Sequence, residues 1–265
     1  MMPVAGGGRS ILHRVEARST RRGGRRGRAA VGPHGVGGGI FITLEGPDGA
    51  GKSSQADRLA ARLRAEGHVV MQVREPGGTP LAEAVRALVN GPADHDPWSS
   101  ALLFNAARAQ LVRRVIGPAL ARGEVVVGDR HTDSTLAYQG YGSGLDLDEL
   151  RRLDQFAVGD VGPDLTILLD LPVDVGLARR AEGAASGHTR WEDPTQHDHR
   201  FHERVRHGYL ALAAAEPERW RVVDADRAPD VIGAEVGDLV VAWLAGRGSA
   251  AARGEPAAAA VRITR

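Results

Sequence analysis

Five short apolar runs punctuate the middle of the chain, at 40–44, 69–74, 125–129, 165–170 and 220–224. Each has the length of one buried strand. Between them the apolar positions switch to helical spacing, which predicts helices near 52–66, 79–90, 98–122, 147–158, 172–182, 197–215 and 229–244. Strands separated by helices of that length connect by right-handed crossovers and form a parallel sheet covered on both faces, a three-layer α/β/α fold. Ligands of such sheets bind at the carboxyl ends of the strands. Four of the five runs end there in charged or glycine-rich turns, "EGPDGAGKSS", "REPGGT", "GDRH" and "DADRAPD". Those turns are expected to converge on one site.

Charge divides the chain into three parts. Residues 1–39 hold eight arginines against Glu16, and residues 246–265 hold four arginines against Glu255, so the net +1 leaves −9 for 40–245. An acidic body is a poor non-specific partner for nucleic acid. The Gly/Arg-rich segment 1–39 and the alanine-rich segment 246–265 show no sustained apolar periodicity and read as disordered tails around a domain at 40–245. For the first tail, a targeting presequence, a nucleic-acid-binding arm and a start codon placed too far upstream all fit the composition as well. The chain has no cysteine, which excludes a disulfide framework or a thiolate metal site. No apolar run approaches the ~18 residues of a membrane span. A reducing cytoplasm is the expected setting.

The first turn carries the most specific chemistry. Gly46, Gly51, Lys52 and Ser53 satisfy G-x-x-x-x-G-K-[ST] between a strand and a helix, the context that motif requires. Its glycines let backbone N–H groups point inward at phosphates, and the positive end of the following helix adds to that field. Lys52 is the one lysine among 34 basic residues. A compact ammonium suits a phosphate in a cramped loop where a planar guanidinium does not. The loop, Gly46, Pro47, Asp48, Gly49, Ala50, Gly51, Lys52, Ser53 and Ser54, is therefore expected to bind a nucleoside triphosphate, with Lys52 on the β- and γ-phosphates and Ser53 on Mg²⁺. Asp129, closing the apolar run "VVVGD", is like the acid that holds hydrated Mg²⁺ in P-loop enzymes. A switch GTPase needs a second lysine in its base-reading element, and this chain has none. A small phosphotransferase fits.

"GPDGAGKSSQ", "REPGGT" at 74–79, "LLFNAARAQ" at 102–110, "DRHTDSTLAYQG" at 129–140 and "FHERVRHGYLALA" at 201–213 resemble, in order and spacing, the successive motifs of the thymidylate kinase family. The resemblance spans about 40–244, and "DRHTDSTLAYQG" is its most specific part. It implies a five-stranded parallel sheet, transfer of the γ-phosphoryl of MgATP to dTMP for dTTP synthesis, and a homodimer. Physical reasoning supports a monophosphate acceptor. Such an acceptor is already largely dianionic at neutral pH, so the difficulty is bringing two anions into line. Guanidinium groups at the strand ends answer that need, and Arg74 and Arg130 stand there. The resemblance puts both on the dTMP phosphate. It further implies that Asp48 holds the sugar 3′-hydroxyl and helps place Mg²⁺, that Phe104 stacks on thymine, and that Arg108 donates to a base carbonyl. Phe104 and Arg108 are four apart, hence on one helix face. Ser134, Thr135, Tyr138 and Gln139 resemble the residues beside the deoxyribose and base.

The family occurs in two arrangements, one with an arginine in the loop where this chain has Gly49. The missing cation is expected from 176–194, where Arg179, Arg180 and Arg190 surround a small-residue run, Gly183–Gly187, suited to a closing lid at about 183–196. Arg190 is assigned to the phosphates and Arg179 to the adenine face, although Thr189 stands where the family more often has aspartate. His197, His199, His202 and His207 scatter around one helix and are read as solvated rather than as a metal cluster. Asp170 is read as a strand-end cap. Two rivals remain open: a kinase acting on another nucleotide or deoxynucleoside, and a nucleotide-binding regulator without turnover.

Overall fold

The computed structural model describes residues 38–91, 95–185 and 198–252. Its sheet comprises β1 (Ile40–Glu45), β2 (Val70–Arg74), β3 (Val125–Asp129), β4 (Leu165–Asp170) and β5 (Trp220–Asp224), all parallel, in the order β2-β3-β1-β4-β5. The five apolar runs are these five strands. The helices are α1 (Lys52–Ala65), α2 (Pro80–Val89), α3 (Pro97–Leu111), α4 (Gly117–Ala121), α5 (Thr132–Thr135), α6 (Leu147–Val158), α7 (Val173–Ala185), α8 (His199–Ala215) and α9 (Pro229–Ala252). Their starts are written in the sequence. Thr79, Asp96, Asp146 and Asp198 each accept backbone N–H bonds at a helix N-cap, and Pro80 and Pro97 follow two of them.

Alternation along the central strand divides the core. Ile42 and Leu44 pack with Ile167 against Leu59 and Leu63 of α1 and Ile232, Val236 and Val240 of α9. Phe41 points the other way, with Val126, to Leu111 of α3 and Leu120 of α4. Leu168, also on that side, meets Leu150 of α6 and Val205 and Tyr209 of α8. Each such fully buried aliphatic side chain contributes about 1.5–3 kcal/mol. The three layers follow from that two-sided burial.

Four expectations need correction. The helix expected at 98–122 is interrupted: Val112–Ile116 is one wider π-helical turn between α3 and α4. Pro118 has no N–H for the carbonyl four residues earlier, and the helix widens just before it. Residues 132–142, read as a motif without an element, are helical, with α5 running into a second π-helical stretch at Leu136–Gly142. The C-terminal boundary at 245 is too early, because α9 continues to Ala252. Arg247 explains why: its Nη1 donates to Asp164 Oδ1 at 3.2 Å and its guanidinium lies 4.7 Å from the Trp243 ring. Just before β1, Gly39 N donates to Leu120 O at 3.1 Å. Helix α7 outlasts the expected 182 and takes in the first residues assigned to the lid; Arg190, Thr189 and His197 lie outside the described residues, as do residues 1–37. No helix among the described residues is long and apolar enough to cross a membrane.

Candidate active site

Three turns leave the sheet side by side. In the strand register Leu44, Asp129 and Arg74 form one row, so the residues following β1, β3 and β2 emerge together. The turn after β5 lies two strands from β1, and Arg179 reaches it, with Nη1 donating to Ala225 O at 3.0 Å and Nη2 3.4 Å from Asp226.

The β1–α1 loop is built by close backbone approach. A Cβ on Gly46 would lie 2.4 Å from Leu169 O, and one on Gly49, which has φ 78°, would lie 2.4 Å from Gly176 O on α7. Gly49→Ala is therefore expected to destabilise the protein by about 2 kcal/mol or more, from left-handed strain and displacement of α7 together; urea denaturation checks this. Lys52 folds back over the loop, its Nζ donating to Gly46 O at 2.9 Å and Pro47 O at 2.8 Å. Burial, helped by Arg130, lowers its pKa to about 8 against the pull of Asp48, Asp129 and Glu45. Ser53 Oγ donates to Asp129 Oδ2 at 2.5 Å.

Arg130 begins the β3–α5 turn and, among the described residues, is the one non-glycine with positive φ, 73°. Its guanidinium is buried and donates to Asp48 Oδ1 at 2.7 Å, Tyr138 Oη at 3.1 Å and Ser134 Oγ at 3.1 Å. Tyr138 also donates to Asp48 Oδ1, at 2.8 Å, and Arg180 Nη1 lies 3.3 Å from Asp48 Oδ2. Asp48 thus gathers two arginines and a tyrosine on the β1–α1 loop. Arg74 stands exposed at the mouth, 3.6 Å from Glu83. Phe104 and Gln139 are half-buried, while Thr135 is buried with no hydrogen-bond partner for its hydroxyl.

Arg108 is placed differently from the picture of a side chain free to reach a base. It is buried, with Nε on Glu75 at 2.7 Å, Nη1 on Asp154 at 2.8 Å and Nη2 on His131 O at 3.1 Å. Burial would raise the Glu75 carboxyl, but Arg108 and His131 hold it below the ordinary value; burial dominates at Asp154 and pushes it up.

Sequence reasoning passed over several members of the site. Glu45, the last residue of β1, is fully buried and accepts from His131 N at 2.6 Å, Ser134 Oγ at 2.6 Å and Tyr209 Oη at 2.9 Å. Burial, then Asp133, raises its pKa to about 7 despite those donors. Glu75, Asp154 and Tyr209 went unassigned too. A carboxylate immediately after an apolar strand was the available signal for Glu45. Arg86 adds a cation near Arg74: it donates to Pro76 O at 3.0 Å, and burial followed by Arg74 lowers its pKa. Of the histidines, His202 is buried against Phe201 rather than solvated, a correction that follows from its place beside the core residues Phe201 and Val205. His199 is exposed and paired with Asp174, and the histidines of α8 form no cluster of three or more His, Asp or Glu placed to hold a metal ion among the described residues. Asp170 receives a two-pronged bond from Arg206, at 2.7 and 2.9 Å.

Ser53 and Asp129 present hard oxygen atoms, a hydroxyl and a carboxylate, at one point beside the loop. That donor set fits Mg²⁺.

Known proteins agree on what carries this arrangement. The family model described as thymidylate kinase matches residues 44–236. A thymidylate kinase of Thermomicrobium roseum is 54% identical over 192 residues, covering 72% of this chain and 90% of its own. One from Deinococcus radiodurans is 52% identical over 199 residues, covering 75% and 94%. The crystal structure of thymidylate kinase from Ehrlichia chaffeensis superimposes with a TM-score of 0.62 at 33% identity, over 77% of this chain and 98% of that one. A match that takes in every strand-end turn of the site, and relatives aligned over nearly their whole length, leave one conclusion: this chain belongs to the thymidylate kinase family.

Proposed function

We propose that this chain transfers the γ-phosphoryl group of MgATP to dTMP, giving dTDP and ADP. The observation that carries this reading is the meeting of the donor loop and the acceptor arginine at Asp48, with Arg130 Nη2 2.7 Å from Oδ1. ATP lies along Gly46–Ser54, its β- and γ-phosphates taken by the loop N–H groups and Lys52. Ser53 and Asp129 would hold Mg²⁺, which would offset the negative charge of the phosphates. Arg130 and Arg74 draw the dTMP phosphate to the carboxyl ends of β3 and β2. The dianionic acceptor needs no general base, so orientation and charge do the work. Asp48 takes the sugar hydroxyl, Phe104 stacks on the base, and Arg108 donates to its carbonyl. Ser134, Thr135, Tyr138 and Gln139 wall the sugar. Arg179, fixed beside the β5 turn, backs the adenine. A reaction that draws on ATP and supplies dTDP for dTTP synthesis is assigned to the cytoplasm.

A coupled assay of ADP release across all nucleoside monophosphates tests this. dTMP is expected to be preferred by far. Equal turnover of dTMP and dCMP refutes the substrate assignment, and no ADP with any monophosphate favours the regulatory alternative.

The homodimer has support on the surface. Helices α2, α3 and α6 expose Leu81, Leu88, Trp98, Leu102 and Phe156, with Phe156 84% and Leu102 55% exposed. Large apolar side chains on three neighbouring helices mark an interaction face. Phe156→Asp is expected to convert a dimer to monomer in sedimentation velocity while leaving the monomer's melting temperature within a few degrees. An unmodified chain that sediments as a monomer at micromolar concentration refutes the dimer.

A further inference from the structure

We infer that Asp154, a buried carboxylate on α6, is a positioning residue that sets base choice: with Glu75 it pins the Arg108 guanidinium so that a single N–H remains for the base. The inference rests on the proposed reading of the site. Arginine has five N–H donors in a planar fork. In Arg108 one is taken by Glu75 at 2.7 Å, two on Nη1 by Asp154 at 2.8 Å and Asn105 Oδ1 at 3.4 Å, and one on Nη2 by His131 O at 3.1 Å. The fifth, also on Nη2, is the one left over.

Carboxylates on two sides of the fork do two things. They supply two negative charges to a cation in the interior, and they prevent the group from swinging. A pinned donor discriminates by sign. Thymine presents a carbonyl at C4, which accepts a hydrogen bond; cytosine presents an amino group there, which donates. A mobile arginine could turn away from that amino group and find another acceptor. One held by Glu75 and Asp154 cannot, so the wrong base leaves a buried donor facing a donor, the situation in which polar pockets discriminate most strongly. Asp154 shows a further sign of a role beyond packing. Its Oδ2 is buried with no hydrogen-bond partner, whereas carboxylates buried for stability alone ordinarily satisfy both oxygens.

The test compares kcat/KM for dTMP and dCMP in the full-length protein and in Asp154→Ala and Asp154→Asn, with the KM for ATP and the melting temperature measured alongside. Asp154→Ala is expected to lower the dTMP-to-dCMP ratio about ten-fold or more, through the KM for dTMP, with the KM for ATP unchanged. Asp154→Asn keeps an acceptor for Nη1 without the charge and is expected to restore most of the ratio. It also serves as the readout if the alanine variant does not fold. An equal fall for both nucleotides, with the ratio intact in whichever variants fold, overturns the inference and leaves Asp154 a stabilising residue. A parent protein that does not prefer dTMP fails the proposed function instead, and the two failures are thereby told apart.

Discussion

Lys52→Arg is expected to lower turnover by about 10²-fold or more, the scale of losing a phosphate clamp. The charge is kept, so the loss comes from shape. Lys52 Nζ reaches Gly46 O at 2.9 Å and Pro47 O at 2.8 Å, and the side chain is buried. A guanidinium needs room for a flat three-nitrogen fork, and the loop that would have to widen is held at Gly46 and Gly49 against Leu169 O and Gly176 O. Steady-state assays of the folded variant check this, and near-normal turnover removes the argument from the single lysine. A pH dependence follows. The lysine pKa is lowered to about 8, and kcat/KM for ATP, which reports the free enzyme, is expected to fall as pH rises through that value and the ammonium is lost. Stability moves the other way. Between about 8 and the ordinary 10.5 the unfolded chain binds the proton that the folded chain has released, so this group's contribution to folding stability rises with pH across that window.

Much of this site is legible in the sequence because its signals are local. A strand followed by G-x-x-x-x-G-K-S fixes a loop whose partners lie within a few residues: Lys52 bonds to carbonyls five and six positions back. Helix starts at Thr79, Asp96, Asp146 and Asp198 are equally local. What eluded the sequence is set by distant partners. Glu45 is read as a strand end until Tyr209, 164 residues away, brings its hydroxyl to 2.9 Å. Arg108 looks free at helical spacing from Phe104 until Asp154, on another helix, closes on it. His202 looks like a surface histidine when its neighbours are counted along one helix, and it is buried because α8 packs against the 136–142 turn. The same reasoning explains α9: an alanine-rich end has no apolar period of its own, and only Asp164 and the Trp243 ring show why Arg247 stays helical.

The largest effect is expected from the cation that the loop lacks. A Cβ at Gly49 would stand 2.4 Å from Gly176 O, so this chain cannot carry an arginine there without displacing α7. We assign that charge to the segment 176–194, which takes in most of α7. Of the three arginines in that region, Arg179 is engaged at the β5 turn through Ala225 O and Asp226. Arg180 is buried, with Nη1 3.3 Å from Asp48 Oδ2, a contact made before any phosphate moves. An interaction already formed in the ground state supports binding more than it accelerates the chemical step. Arg190 follows the end of α7 and is the arginine assigned to the moving phosphoryl group. Arg190→Ala is therefore expected to lower kcat by about 10²–10³-fold while the KM for dTMP stays within a few-fold. Arg180→Ala is expected to act mainly on KM, by loosening Asp48 beside Arg130. Steady-state kinetics of the three single alanine variants separate these roles. A loss of kcat confined to Arg180→Ala moves the assignment from Arg190 to the helix itself, and near-normal kcat at 179, 180 and 190 alike rules out this segment as the source of the charge.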